Sequence, residues 1–102
     1  MAPHFVGFHP LAARDLQVAY AWYARRNPAA AQRFRHEVRQ AMQRIASAPD
    51  QGSPFRGRFR WTRLGRFSYV VYYEVLDPVQ VIIYAVAHAS RRPGYWLRRA
   101  SP

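Results

Sequence analysis

The sequence predicts an α+β domain: an N-terminal strand, an antiparallel helical hairpin, then a three-stranded antiparallel meander. Three observations predict it. Apolar residues recur at spacings of three and four over residues 11–45 and at spacing two over 58–87, which are the periods of helix and strand. Asn27-Pro28 interrupts the first stretch, and Gly65-Arg66 and Asp77-Pro78 divide the second. The chain has 102 residues, a usual size for one domain around one core, so a single domain over 1–102 is expected.

Each element has its own signal. Residues 4–8, His-Phe-Val-Gly-Phe, are aromatic and β-branched, and His9-Pro10 stops them, so an opening strand is expected. Pro10 suits a first helical turn, where its missing N–H costs nothing. Leu16, Tyr20 and Tyr23 then form one face of a helix over 11–25. Asn27 and Pro28 are an N-cap and first-turn pair for a second helix, whose stripe is Ala31, Phe34, Val38, Ala41 and Ile45, ending before Pro49. The joint is so short that the helices fold back on each other. Residues 49–57 read as a loop rich in Pro and Gly, followed by strands over 58–64, 67–76 and 79–87. The tail from residue 88 either carries a short helical turn at 95–99 or lies across the sheet.

Strand alternation puts Val79, Val81, Ile83, Ala85 and Ala87 on one face of the last strand, and Gln80, Ile82, Tyr84, Val86 and His88 on the other. Both faces are mostly apolar, whereas a sheet with one wet face alternates more cleanly. The second face is therefore expected to be covered by the C-terminal tail, by a partner, or by both. Trp22, off the helix stripe, is either a contact within the hairpin or an exposed anchor.

Composition narrows the function. Basic residues number 16 against 5 acids, all the basic ones are arginine, and the formal net charge is +11. Such a surface suits nucleic acid or an acidic protein. Half the residues are hydrophobic, too many for a disordered chain. The longest apolar run, residues 81–87, is far short of a membrane span. The opening Met-Ala-Pro-His-Phe-Val lacks the basic cluster and apolar run of a secretory signal, so a cytoplasmic protein is expected. There is no cysteine, and His4, His9, His36 and His88 are too scattered to suggest a metal; no metal and no cofactor are expected.

Two segments carry candidate chemistry. Residues 56–66 hold Arg56, Arg58, Arg60, Arg63 and Arg66 with no acid. As a strand, this segment places Arg56, Arg58 and Arg60 opposite Phe59, Trp61 and Arg63, either a surface that tracks a nucleic-acid backbone or a charged edge that deters aggregation. His88, with Arg91, Arg92 and Tyr95 after it, either serves acid–base chemistry on a phosphodiester or hydrogen-bonds the backbone and orders the tail. Glu74 reads as the salt-bridge partner of an arginine on a neighbouring strand.

An ordered set of short motifs runs through nearly the whole chain: Ala13-x-Asp15-Leu16, Tyr20, Asn27-Pro28-x-Ala30-Ala31-x-x-Phe34, Pro49-x-x-Gly52, Arg63-Leu64, Tyr69-Val70-Val71-Tyr72-Tyr73 and Val86-Ala87-His88-x-x-Arg91-Arg92-Pro93. In these the chain resembles the RelE/ParE superfamily of type II toxins, and its Asn-Pro joint and His-x-x-Arg-Arg-Pro terminus are similar to the ParE branch. The resemblance implies a growth-inhibiting toxin neutralised by an acidic antitoxin. The ParE branch implies DNA gyrase as target; the RelE branch implies ribosome-dependent mRNA cleavage, here through Arg63, His88, Arg91 and Tyr95. Trp61, Val70 and Ala89 depart from the cations of the RelE branch, which favours the gyrase reading. A non-toxic binding member of the fold is the third alternative. Residues 56–102 hold nine arginines and two acids, so the antitoxin is expected to pair its carboxylates with Arg56, Arg58, Arg60 and Arg66. It is expected to bury apolar side chains near Tyr72, Tyr84 and Val86.

Overall fold

His9 and Asn27 set where the helices begin. In the computed structural model, which describes residues 3–100, His9 Nδ1 accepts from the Leu11 N–H at 3.1 Å, and Pro10 opens α1 (Pro10–Arg26). Asn27 Oδ1 accepts from the N–H groups of Ala29 and Ala30 at 3.1 and 3.2 Å, and Pro28 opens α2 (Pro28–Ser47). One residue thus ends one helix and caps the next, as the Asn-Pro joint predicts.

Five strands form one sheet: β1 (Phe5–Phe8), β2 (Ser53–Phe55), β3 (Phe59–Arg63), β4 (Tyr69–Asp77) and β5 (Gln80–His88), in the order β1-β5-β4-β3-β2. Strand β1 runs parallel to β5, and the other pairs are antiparallel. The expected meander is β3–β4–β5. The expected loop at 49–57 instead contains a 3-10 turn, Pro49–Gln51, and the edge strand β2. Arg56 and Gly57 turn β2 into β3 with φ of 46° and 82°, and the left-handed region is costly for arginine but free for glycine. Arg56 and Arg58 therefore sit in this turn and do not share a strand face with Arg60.

Both helices pack on one face of the sheet. Phe34, Ala41 and Ile45 of α2 and Ala12 and Ala19 of α1 close over Val71, Tyr73, Val81, Ile83 and Val86. The other face is covered by the chain itself. Trp96, 1% exposed, lies on Phe59, Tyr72 and Tyr84, with Phe55, Tyr95, Leu97 and Ala100 around it. A 3-10 turn, Leu97–Ala100, ends this strap.

A bulge corrects the face assignment in β5. Tyr73 pairs with Ile83 and Tyr72 with Ala85, which leaves Tyr84 as an extra residue and reverses the alternation beyond it. Val86 consequently belongs to the helix-side core, while Ala85 and Ala87 join Tyr84 under the tail. The expected apolar docking site at Tyr72, Tyr84 and Val86 is thus closed from both sides. Tyr72 and Tyr84 are each 8% exposed beneath Trp96, and Val86 lies beneath α1.

Candidate partner-binding groove

An open apolar surface lies along α1, where it passes the end of β5 and the start of the tail. Leu11, Val18 and Trp22 recur at spacings of seven and four and are 46%, 59% and 46% exposed. Beside them, two adjoining concavities of about 340 and 410 Å³ share Val18, Ala19, Tyr69 and His88. Arg14, Arg91 and Arg99 line one, Trp22 and Ser90 the other. Arg26 lies 4.1 Å over the Trp22 ring, which itself packs edge-on against Tyr23 at 5.0 Å. The result is an apolar floor with a basic rim.

One ion pair fixes the groove's wall. The pairing of β1 stops at Ile83, so beyond it that edge of β5 has no neighbouring strand. Asp15 and Arg99 serve it instead: Val86 N–H donates to Asp15 Oδ2 at 3.1 Å, and Arg99 Nη1 donates to Tyr84 C=O at 2.9 Å and to Asp15 Oδ2 at 2.7 Å. Helix, strand and tail are thereby joined in a half-buried network that leaves neither backbone group orphaned. Arg91 lies 3.9 Å over the Tyr95 ring and Arg99 5.5 Å from it. Burial, and next the Asp15 charge, raise the Tyr95 pKa above the usual phenol value, against the pull of Arg99 and Arg91. The phenol is therefore a weaker acid than a free tyrosine side chain.

His88 ends β5 with its Nδ1 taken. The Ser90 N–H donates to it at 3.1 Å, and the Ser90 hydroxyl lies 2.7 Å from the same nitrogen. Nδ1 is an acceptor, so the neutral ring carries its proton on Nε2. This bond orders the first residues of the tail, one of the two roles read from the sequence.

The other expected residues scatter. His88, Arg91 and Tyr95 line one concavity, but Arg63 belongs to a neighbouring one of about 280 Å³ with Trp61, Tyr69, Val70 and Ala89. Arg58 pairs with Glu74 at 2.9 Å, and Glu74 also accepts from the Tyr84 hydroxyl at 2.9 Å, so Glu74 holds a salt bridge, to an arginine of the β2–β3 turn and not of a strand. Arg60 donates to Gly52 C=O at 2.7 Å, Arg56 lies over Phe55, and Arg66 is exposed. Among the described residues no group of three His, Asp or Glu side chains is placed to hold a metal ion. None of the helices described is long and apolar enough to cross a membrane. Sequence reasoning missed Asp15, Arg99, Leu11 and Val18 as surface-forming residues. The spacing of Leu11, Val18 and Trp22 was a second stripe on α1, present beside the core stripe.

Comparison with known proteins agrees with this architecture. A solved structure described as a chromosomal ParDE TA system from P. aeruginosa superposes with a TM-score of 0.71 at 18% identity, covering 83% of this chain and 95% of that one. That likeness shows a shared fold. No curated protein sequence matches the chain. The family model for the ParE toxin of the type II toxin–antitoxin system parDE matches residues 6–93. With nearly the whole described fold inside that match, the chain belongs to the ParE toxin family.

Proposed function

We propose that this toxin arrests growth by acting on DNA gyrase, and that an acidic antitoxin neutralises it by laying an amphipathic segment along the α1 groove. The observation that carries the antitoxin reading is the exposed row Leu11, Val18 and Trp22 beside Arg14, Arg26 and Arg91. Apolar anchors framed by cations fit a helix with one apolar and one acidic side. Exposed arginines elsewhere, Arg56 among them, steer the encounter. Burial of Tyr72, Tyr84 and Val86 supports an apolar docking site on α1 in their place.

The gyrase reading rests on the ParE family and on the poor provision for RNA cleavage. Three of the four residues for a nuclease do meet: His88, Arg91 and Tyr95 line one concavity. Yet Arg63 lies apart from them, as the one cation among the described residues lining its own concavity. A cleaving phosphate needs several donors aimed at it.

Expression without antitoxin is expected to give filamentation, and purified toxin to inhibit gyrase supercoiling. Prompt translation arrest with codon-positioned mRNA cuts, and gyrase unaffected, would overturn the target in favour of the nuclease. Absence of any growth defect would mark a non-toxic binding member. For the groove, Trp22→Ala is expected to speed antitoxin dissociation ten- to a hundredfold, as truncation of an aromatic anchor does. An unchanged dissociation rate would move the docking site off α1.

A further inference from the structure

The flank of α2 that faces away from α1 has a different chemistry. Arg33, Glu37, Gln40 and Arg44 follow at spacings of four, three and four and so share one stripe. Across from them lies the joint between β3 and β4. The Arg44 Nη2 donates to Arg63 C=O at 3.2 Å. The Glu37 carboxylate packs against Gly65, where any side chain would collide with it and where φ is 54°. Arg33, His36 and Arg66, with Gln32, Glu37 and Phe67, line a cleft of about 600 Å³. Arg33, Arg44, Arg63 and Arg66 are all exposed, four cations beside one carboxylate.

This flank lacks what other partners need. Among the described residues the large exposed apolar side chains, Phe5, Leu11, Val18, Trp22, Leu76 and Val79, all lie elsewhere, so a protein partner finds no apolar anchor among them here. Phe67 is held against Tyr23 and Phe34 at 5.1 and 5.3 Å, so no free aromatic face is offered for stacking single-stranded bases. What remains is a row of exposed guanidinium groups. Arg33 and Arg44 are eleven residues apart, about 16 Å along the axis, enough to reach several successive phosphates of one strand.

We propose that this flank binds the phosphate backbone of a nucleic-acid duplex through Arg33, Arg44, Arg63 and Arg66, without reading its sequence. The site is separate from the α1 groove, so it stands or falls independently of the antitoxin and of gyrase. Bidentate arginines hold phosphates well, and backbone contacts alone position a protein without specifying bases.

Fluorescence anisotropy of the purified toxin with a labelled duplex DNA, titrated over salt, tests it. Four phosphate contacts give a slope of log affinity against log salt of about −3.6. Arg33→Ala with Arg66→Ala is expected to reduce that slope by about two, while Arg33→Lys with Arg66→Lys keeps it. Arg92→Ala with Arg98→Ala, on the tail at the other sheet face, is expected to leave it unchanged. The lysine pair retains charge and fold, so it separates lost contacts from lost folding. The proposal is overturned by any of four results: no binding at about 50 mM salt; equal loss from the tail pair, which marks diffuse charge; single-stranded DNA bound as tightly as duplex; or polyglutamate displacing the duplex with the same Arg33 and Arg66 dependence, which marks a surface for acidic protein.

Discussion

Tyr84 is the residue on which the bulge, the tail and the charged edge converge. It is the extra residue of β5, it stacks under Trp96 at 5.8 Å, and its hydroxyl donates to Glu74, which Arg58 pairs from the side. Burial first, then the hydrogen bond to the Glu74 carboxylate and its charge, push the Tyr84 pKa up to about 12 from 10.0, while Arg58 pulls it down. Burial also raises Tyr69, Tyr72, Tyr73 and Tyr95. The sign is fixed by linkage: below pH 10 both folded and unfolded chains keep these protons, and stability is unaffected. Between about pH 10 and about 12 the unfolded chain releases protons that the folded chain keeps, so stability falls as pH rises. Tyrosinate absorbance is therefore expected to lag behind that of the unfolded chain and then rise together with unfolding. Titration of Tyr84 near pH 10 in a protein still folded by circular dichroism would contradict this environment. Beyond a salt bridge for Glu74, none of it was readable from sequence, because Glu74 is ten residues and Asp15 seventy-one residues from the β5 groups they bind.

The helices were legible and the sheet less so, for a physical reason. A helix is closed by its own backbone bonds, so the period of Ala31, Phe34, Val38, Ala41 and Ile45 and the Asn27-Pro28 joint suffice to place it. A strand depends on its neighbour. Ser53-Pro54-Phe55 is three residues with a proline, and it pairs because β3 is there to receive it. The bulge, likewise, is a property of the β4–β5 pair, and one extra residue was enough to place Val86 on the wrong face. The tail was the largest ambiguity, and Trp96 resolves it. Its indole meets Phe59, Tyr72 and Tyr84 at 5.0, 4.9 and 5.8 Å, yet its Nε1–H has no hydrogen-bond partner. Removing the ring should cost about 3–5 kcal/mol, whereas an unsatisfied buried donor itself costs about 1–3 kcal/mol. Trp96→Phe keeps most of the ring contact and deletes that donor, so urea unfolding is expected to show less than half the loss of Trp96→Ala. Equal losses would mean that the indole N–H, and not the packed ring, fastens the tail.

On the scale of the whole molecule, one quantity acts on two equilibria with opposite sign. A formal charge of +11 sits on a body whose radius of gyration is 13.2 Å, so many like charges lie within a Debye length or two of one another. Folding brings them together, and the ion pairs among the described residues, Arg58–Glu74 and Arg99–Asp15, answer few of them. Self-repulsion therefore opposes the compact state, and screening should relieve it. Raising sodium chloride from about 20 mM to about 300 mM, over which the Debye length falls severalfold, is expected to raise the melting temperature of the isolated toxin. The same screening weakens attraction between the basic rim and an acidic antitoxin, so the association rate is expected to fall over that range. With the proposed docking at Leu11, Val18 and Trp22, the dissociation rate should change little. A melting temperature that falls with salt would mean that the two ion pairs outweigh the repulsion. An association rate indifferent to salt would mean that the antitoxin is guided by the apolar stripe alone, and that the arginine excess serves another ligand.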